Sequence, residues 1–208
     1  MANSMADLLK ELGDIPPERV RIRPVPGTAT VQNIVDIDAH EDRLFELVDG
    51  VLVAKQSSLR ESIVAIELNA LLHSFVIRGN LGIVVGSAMM EILPGLVRIP
   101  GVAFLSWARL PGGKVPTDAV PNIVPDLAIE ILSKGNTVAE MNRKRREYFK
   151  AGVILTWIVD HKTRTLKVYT SPEDFREFTE NETVCGDPVL PGFTLSLREL
   201  FSELDRRA

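Results

Sequence analysis

Cysteine and histidine are scarce in this 208-residue chain, which limits the kinds of site that it can build. Cys185 is the single cysteine, so an internal disulfide and a cysteine-rich zinc site are both excluded. We expect its thiol to be buried or half-buried rather than a nucleophile. The three histidines, His40, His73 and His161, are widely scattered, so a histidine-based metal site or a Ser/His triad has little to draw on. Metal chemistry would therefore rest on carboxylates.

Long apolar runs and an excess of basic residues are also missing. The opening Met1 to Leu12 has no apolar core of signal-peptide length, and no stretch approaches the ~20 uninterrupted apolar residues that cross a membrane. The formal net charge of −4 excludes the overall positive charge of a protein that coats DNA. We expect a cytoplasmic protein without a membrane partner. Any contact with nucleic acid would have to use a local patch of positive charge.

The chain is long enough for one large core, since 45% of its residues are hydrophobic. Residues 13–34 contain Pro16, Pro17, Pro24 and Pro26, which predict an extended lead-in after a short helix at residues 4–12. We therefore divide the chain into an N-terminal extension, residues 1–35, and one main domain, residues 36–208.

Turn and capping signals divide the main domain into strands and helices. Asp49-Gly50 between two apolar runs predicts an N-terminal β-hairpin over residues 44–54. Capping boxes at Ser58 and Thr137 open helices that Gly79 and Gly152 end. The other predicted elements are strands at 81–87, 89–97, 102–107, 123–132, 154–159 and 165–169, an exposed loop at 108–122 and a helix at 195–204. This order predicts an α/β (α+β) sandwich around one mixed sheet flanked by helices.

A carboxylate lies inside the most apolar of these strands. Glu130 belongs to the run from Leu127 to Leu132, in the strand that we place centrally in the sheet because both of its faces are mostly apolar. Burial of an isolated carboxylate costs several kcal/mol unless a cation, a metal or hydrogen-bond donors compensate it. Glu130 therefore indicates either an internal salt bridge or a metal or substrate site.

The compensating cation is expected on the following helix. Lys144 lies on one edge of its buried stripe and Arg145 on the opposite edge, so helical periodicity leaves both open as partners of Glu130. Arg143, Arg146 and Lys150 point outward, towards solvent or phosphate.

Several segments in order resemble one known family. They are Phe45 to Gly50, Pro125 to Ser133, and Lys144 to Val153 running into Trp157 to Asp160. With these motifs the chain, over about residues 36–201, is similar to the Uma2-like endonuclease family, a branch of the PD-(D/E)XK nuclease superfamily. The resemblance implies a restriction-endonuclease-like core and an acidic cluster that holds Mg²⁺ or Mn²⁺.

The resemblance also implies roles for individual residues. Glu130 corresponds to the glutamate of the (D/E)XK strand. The lysine expected two residues later is absent, since Leu132 stands there. Lys144 would replace that lysine, with its ammonium reaching the same site from the helix. Asp126 is a further catalytic candidate; however, it lies about 13 Å from Glu130 along an extended strand, and it is equally suited to cap backbone amides at the strand entry. Glu61 joins Glu130 as a metal-ligand candidate, with its place in the capping box as the other interpretation.

Two further carboxylates lie on the predicted hairpin. Asp49 is interpreted as a turn residue, and the role of Glu46 stays open. The family also shows an aspartate directly after a proline at the start of the second core strand, whereas this chain has Gly101 after Pro100. Loss of that carboxylate should weaken binding of a hard divalent ion.

The sequence therefore supports three hypotheses. The first is a metal-dependent endonuclease that hydrolyses phosphodiester bonds in nucleic acid, DNA rather than RNA, with Glu130 as metal ligand and Lys144 stabilising developing charge. The second is a catalytically impaired relative, disarmed at Gly101, that binds nucleic acid or protein. The third is a structural ion pair between Glu130 and Lys144. We also expect a homodimer.

Overall fold

The fold consists of two main sheets, a terminal hairpin and five helices, as described by a computed structural model for residues 4–41 and 43–206. The helices are α1 (Met5–Glu11), α2 (Val31–Asp38), α3 (Leu59–Gly79), α4 (Val138–Ala151) and α5 (Leu197–Ser202). The strands are β1 (Phe45–Val48), β2 (Val51–Ala54), β3 (Gly82–Gly86), β4 (Met90–Leu93), β5 (Leu96–Arg98), β6 (Val102–Ser106), β7 (Leu127–Ile131), β8 (Leu155–Asp160), β9 (Thr165–Tyr169), β10 (Phe175–Thr179), β11 (Thr183–Gly186) and β12 (Leu190–Ser196).

The larger sheet has six strands in the order β10-β9-β8-β7-β6-β3. Its central pair, β7 and β8, is parallel and the other pairs are antiparallel. The parallel pair is connected by α4, as a parallel pair requires a crossover. The predicted mixed sheet with a central β7 is confirmed.

Both faces of this sheet are covered, which explains why β7 is apolar on both sides. On one face, Val64, Leu68 and Leu72 of α3 pack in a core cluster with Leu127 and Ile129. On the other, Ala128 lies in a second cluster with Tyr148 of α4 and with residues of the smaller sheet. Alternating residues of one strand thus enter two different cores.

The smaller sheet has the order β2-β1-β5-β4 and contains two hairpins. The predicted hairpin is confirmed: Asp49 and Gly50 have φ of 50° and 72°, the left-handed backbone that a two-residue type I′ turn needs. The single strand predicted at 89–97 is wrong, because the chain turns at Gly95, with φ of 72°, and separates β4 from β5. The predicted single sheet is therefore divided, with β1, β2, β4 and β5 forming a layer of their own.

Other local predictions also need correction. The lead-in is not extended throughout, because Thr30 and Asn33 cap α2. The segment from Phe175 to Ser196, for which no strand was predicted, contains β10, β11 and β12. The predicted C-terminal helix begins at Leu197 rather than at residue 195, and the Cys185 thiol is exposed rather than buried because it lies on the outer face of the β11–β12 hairpin.

The helix α3 is long and apolar enough to cross a membrane, a property that the sequence analysis did not predict for any segment. It is 21 residues long, and its most apolar window has a mean hydropathy of 1.3, enough by length and composition to cross a membrane. A count of uninterrupted apolar residues missed it, because polar residues such as Asn69 and Ser74 interrupt the run. In this fold Val64, Leu68, Leu72 and Val76 of α3 supply core, each at most 1% exposed.

The predicted N-terminal extension packs on the main domain. Leu12, Ile15 and Val20 are buried in the cluster that contains Val53 of β2. The Arg19 guanidinium donates two hydrogen bonds of 2.8 Å to the Glu140 carboxylate on α4. The division at residue 35 stays a prediction.

Candidate functional site

Glu130 lies near the carboxyl end of β7 and is only 3% exposed. Three side chains donate to its carboxylate. The Tyr148 hydroxyl and the Lys144 ammonium lie 2.7 Å and 3.4 Å from Oε1, and the Lys55 ammonium lies 3.1 Å from Oε2. The buried charge is thus compensated entirely by the protein.

The helix α4 supplies two of these donors because of its spacing. Lys144 and Tyr148 are four residues apart on the buried face, so both side chains reach the same strand. The choice that periodicity left open is settled by the geometry: Arg145 lies over the ring of Tyr169, with its guanidinium carbon 4.5 Å from the ring centroid. Of the two predicted partners on α4, Lys144 is the one that contacts Glu130.

Glu46, whose role the sequence left open, completes this arrangement from β1. Its Oε1 accepts a hydrogen bond from Lys144 at 2.9 Å and one from the backbone N–H of Ile99 at 3.2 Å. Its Oε2 accepts one from Arg98 at 2.8 Å. A signal for Glu46 did exist, since it is a carboxylate inside an apolar strand, as Glu130 is.

The charged cluster continues from Arg98 to the surface. Arg98 donates to Glu147 of α4, at 2.9 Å from its Nε, and Arg143 donates to Glu147 at 2.7 Å and to Asp49 at 2.6 Å. We call the eight ionisable side chains the ion network; they are Glu46, Asp49, Lys55, Arg98, Glu130, Arg143, Lys144 and Glu147. Its four acidic and four basic groups balance in charge.

The network shifts the pKa values of its buried members. Burial opposes the charged form of Glu46, but the charges of Lys144 and Arg98 outweigh it and hold the Glu46 pKa well below its ordinary value. Burial likewise opposes the charge on Lys144, yet Glu130 and Glu46 raise the pKa of its ammonium. Burial and the adjacent Glu130 both raise the pKa of Tyr148, so the phenol stays a hydrogen-bond donor.

A cleft of about 790 Å³ lies beside this network and opens to solvent. Its walls combine polar side chains of α3 with Arg43, Lys55 and Gln56. Gly101 and Ile131, at the ends of β6 and β7, also line it. Lys55 is therefore shared between the cleft and the buried carboxylate of Glu130, whereas Lys144, with a side chain 2% exposed, is enclosed.

Gly101, where the resemblance led us to expect an aspartate, has no side chain and borders the cleft. It directly precedes Val102, the first residue of β6, which pairs with Ile129 of β7. A Cβ atom placed on Gly101 would lie 3.3 Å from the Ile129 carbonyl oxygen and 3.5 Å from Cδ1 of Ile131. A side chain at this position needs only a small adjustment and would enter the cleft.

The two remaining predicted site residues have partners of their own. Asp126 accepts hydrogen bonds from Arg109 at 2.8 Å and from the backbone N–H of Ser106 at 2.7 Å, and these partners are separate from the ion network. Glu61 accepts the Ser58 backbone N–H at 2.6 Å in the predicted capping box, while it also lines the cleft. Neither is brought into contact with Glu130, and their catalytic and metal-binding roles stay predictions.

Comparison with known proteins agrees with this fold. A family model described as "Uma2: Putative restriction endonuclease" matches residues 31–198. No curated protein matches the chain. Among solved structures, the chain is similar to the crystal structure of "a putative nuclease belonging to DUF820" from Anabaena variabilis ATCC 29413, with a TM-score of 0.70 and 20% identity over 79% of this chain and 93% of the other.

Nucleases of this family generally use divalent metal ions, which bind carboxylate and other oxygen ligands. Both oxygens of Glu130 are occupied by donors, and Gly101 supplies no carboxylate. Within residues 4–41 and 43–206, no group of three His, Cys, Asp or Glu side chains is placed to hold a metal ion. The residues present do not fit a divalent ion in this arrangement.

Proposed function

Because this chain belongs to the Uma2 family of "putative restriction endonucleases", we propose that its ligand is the phosphodiester backbone of nucleic acid, DNA in the first place, bound in the cleft beside Lys55. Hydrolysis is lost or strongly reduced in this proposal. The observation that carries it is that Gly101 supplies no carboxylate to a cleft whose lining includes Arg43 and Lys55.

The cleft suits an anionic, hydrogen-bonding ligand. Arg43 and Lys55 supply two positive charges against the single carboxylate of Glu61. The polar side chains that line the same space are Ser57, Ser62 and Asn69. Lys55 is the network cation that lines the cleft, and its side chain is 16% exposed. Lys144 and Arg98 are enclosed, with side chains 2% and 3% exposed, and Arg143, 20% exposed, lies outside the cleft lining.

Fluorescence anisotropy with labelled DNA and RNA of equal length tests this proposal. Wild type should bind DNA with an affinity that falls as salt concentration rises, and Lys55→Ala should weaken binding about tenfold or more. Lys114→Ala, an exposed lysine in the loop after β6, is the matched control and should bind as wild type does. Equal affinity of wild type and Lys55→Ala would refute the role of this cleft.

Metal-dependent DNA hydrolysis is the second candidate. It is favoured by the contact between Glu130 and Lys144, which stand at the family's motif positions next to an open cleft. Under this function, cleavage or nicking of plasmid DNA depends on Mg²⁺ or Mn²⁺ and disappears in Glu130→Ala and in Lys144→Ala. DNA binding by wild type without any such cleavage supports the first proposal over the second.

We further propose that the protein forms a homodimer. The helix α3 exposes Ile77, which is 62% exposed, on the side away from its core row. Burial of this apolar surface is a driving force for association. Light scattering coupled to size-exclusion chromatography measures the mass directly, and Ile77→Lys should give a monomer if this face is the interface.

A further inference from the structure

We propose that the ammonium of Lys55 is the built-in cation of this site and takes the place of a divalent metal ion beside Glu130. The inference deepens the proposed function, because it explains how a member of a nuclease family binds phosphodiesters without a metal. It concerns Lys55, a residue that neither the family motifs nor helical periodicity singled out.

The partners of Lys55 are those of a hard cation. Its Nζ donates to Oε2 of Glu130 at 3.1 Å and to the backbone carbonyl of Ile99. Carboxylate and carbonyl oxygens are also the protein ligands of Mg²⁺. The ammonium thus satisfies the two oxygen atoms that a metal ion at this position would use.

The backbone before Gly101 is held in place for this contact. The N–H of Ile99 donates to Glu46 at 3.2 Å while its carbonyl accepts from Lys55. Ile99 is 0% exposed, so solvent does not compete for these contacts. Glu46 thus holds the backbone at residue 99, whose carbonyl oxygen shares the Lys55 ammonium with Glu130.

Electrostatics disfavour a metal ion in addition to Lys55. A Mg²⁺ ion bound to Oε2 of Glu130 lies about 2.1 Å from that oxygen, and hence within roughly 5 Å of Nζ. The ion network is already neutral, with four groups of each sign, and Gly101 adds no negative charge. A divalent ion there would face an uncompensated like charge in a partly buried site.

The same ammonium has capacity left for a ligand. A lysine ammonium has three N–H donors, and two of them are used by Glu130 and Ile99. Lys55 lines the cleft, so the third donor is available to a phosphate oxygen there. One ammonium thereby pairs with the protein carboxylate and presents its remaining N–H donor to the nucleic acid.

Calorimetric titration of MnCl₂ and of MgCl₂ into full-length protein tests the inference without any activity assay. The set is wild type, Lys55→Ala, Gly101→Asp, and the double variant Lys55→Ala/Gly101→Asp, with Lys114→Ala/Gly101→Asp as matched control. We expect no saturable binding by wild type, and Mn²⁺ binding by the double variant at least tenfold tighter than by either single variant or the control.

Two results would overturn the inference: saturable wild-type binding that Glu130→Ala abolishes, or a folded double variant that binds no better than Gly101→Asp. If circular dichroism shows the double variant to be unfolded, Lys55→Gln/Gly101→Asp replaces it, and the wild-type titration stays decisive by itself. Fluorescence anisotropy tests the proposed function separately. Wild type that binds neither metal nor DNA would refute the proposed function but would not contradict the inference that Lys55 is the built-in cation.

Discussion

The Lys144 ammonium and the Glu46 carboxylate form an ion pair of 2.9 Å whose side chains are only 2% and 1% exposed. Removal of one partner from a buried pair leaves an uncompensated charge, which costs about 3–5 kcal/mol. Lys144→Met should therefore lower the free energy of unfolding by about that amount in urea titrations. Lys150→Met, at an exposed position of the same helix, should change it by less than about 0.5 kcal/mol. A similar small effect at Lys144 would contradict the buried-pair geometry.

The acid stability of the protein should depend on Glu46. Its pKa in the folded state lies below the ordinary value of 4.5, so its stabilising contribution is complete above pH 4.5 and is lost as the pH falls towards the folded-state pKa. Between pH 5 and pH 3, Glu46→Gln should lose unfolding free energy less steeply than wild type. The comparison uses slopes, because the substitution also weakens the pairing of Arg98. Glu18→Gln, at an exposed position outside the ion network, is the matched control variant.

The Tyr148 hydroxyl can be removed without changing the charge of the site. Tyr148→Phe keeps the ring and removes the donor that lies 2.7 Å from Glu130. Hydrogen bonds to charged groups contribute about 1.5–3 kcal/mol, and the unfolding free energy should fall by that amount in guanidinium titrations. Tyr169→Phe removes a hydroxyl outside the ion network and serves as the control, with a change below about 0.5 kcal/mol. If the two substitutions lower the unfolding free energy equally, the Tyr148 hydroxyl does not stabilise the Glu130 carboxylate.

The N-terminal segment should be held to the main domain by Arg19. This guanidinium is 3% exposed and donates to both oxygens of Glu140 and to the carbonyls of Ala54 and Gly135. Arg19→Ala should cost about 3–5 kcal/mol, since it leaves the Glu140 carboxylate buried without its cation. Arg19→Lys should recover little of this loss, because an ammonium cannot reproduce the paired contact.

Limited proteolysis gives an independent measure of the same contact. Arg19→Ala should be cleaved faster than wild type in the first 30 residues, whereas Arg60→Ala, at an exposed position of α3, should show the wild-type pattern. Unchanged cleavage in Arg19→Ala would show that the apolar contacts of Leu12 and Ile15 hold the segment without help.

The features that the sequence predicted correctly are those with local causes. The Asp49-Gly50 hairpin follows from turn chemistry, and the caps of α3 and α4 follow from hydrogen bonds within four residues. Glu130 was found because a charge in an apolar run is visible in a short window. The family resemblance then selected Lys144 where helical periodicity left Arg145 equally open.

The features that were missed depend on contacts between distant segments. Lys55 and Glu130 are 75 residues apart and Arg98 and Glu147 are 49 residues apart, so no window of sequence connects them. The division of β4 from β5, and the layer that they form with β1 and β2, likewise arises from packing rather than from local periodicity. The partners of Glu46 could not be named without the positions of β5 and α4.

The separation of 98 residues between Glu46 and Lys144 also bears on synthesis of the chain. A growing polypeptide acquires both interior carboxylates, Glu46 and Glu130, before α4 delivers the lysine and tyrosine that neutralise or bind them. Until then the two sheets would carry buried negative charge without its α4 partners, so docking of α4 must be late and cooperative with closure of the layers. A fragment that ends before α4 should accordingly remain unfolded instead of forming a smaller version of the domain.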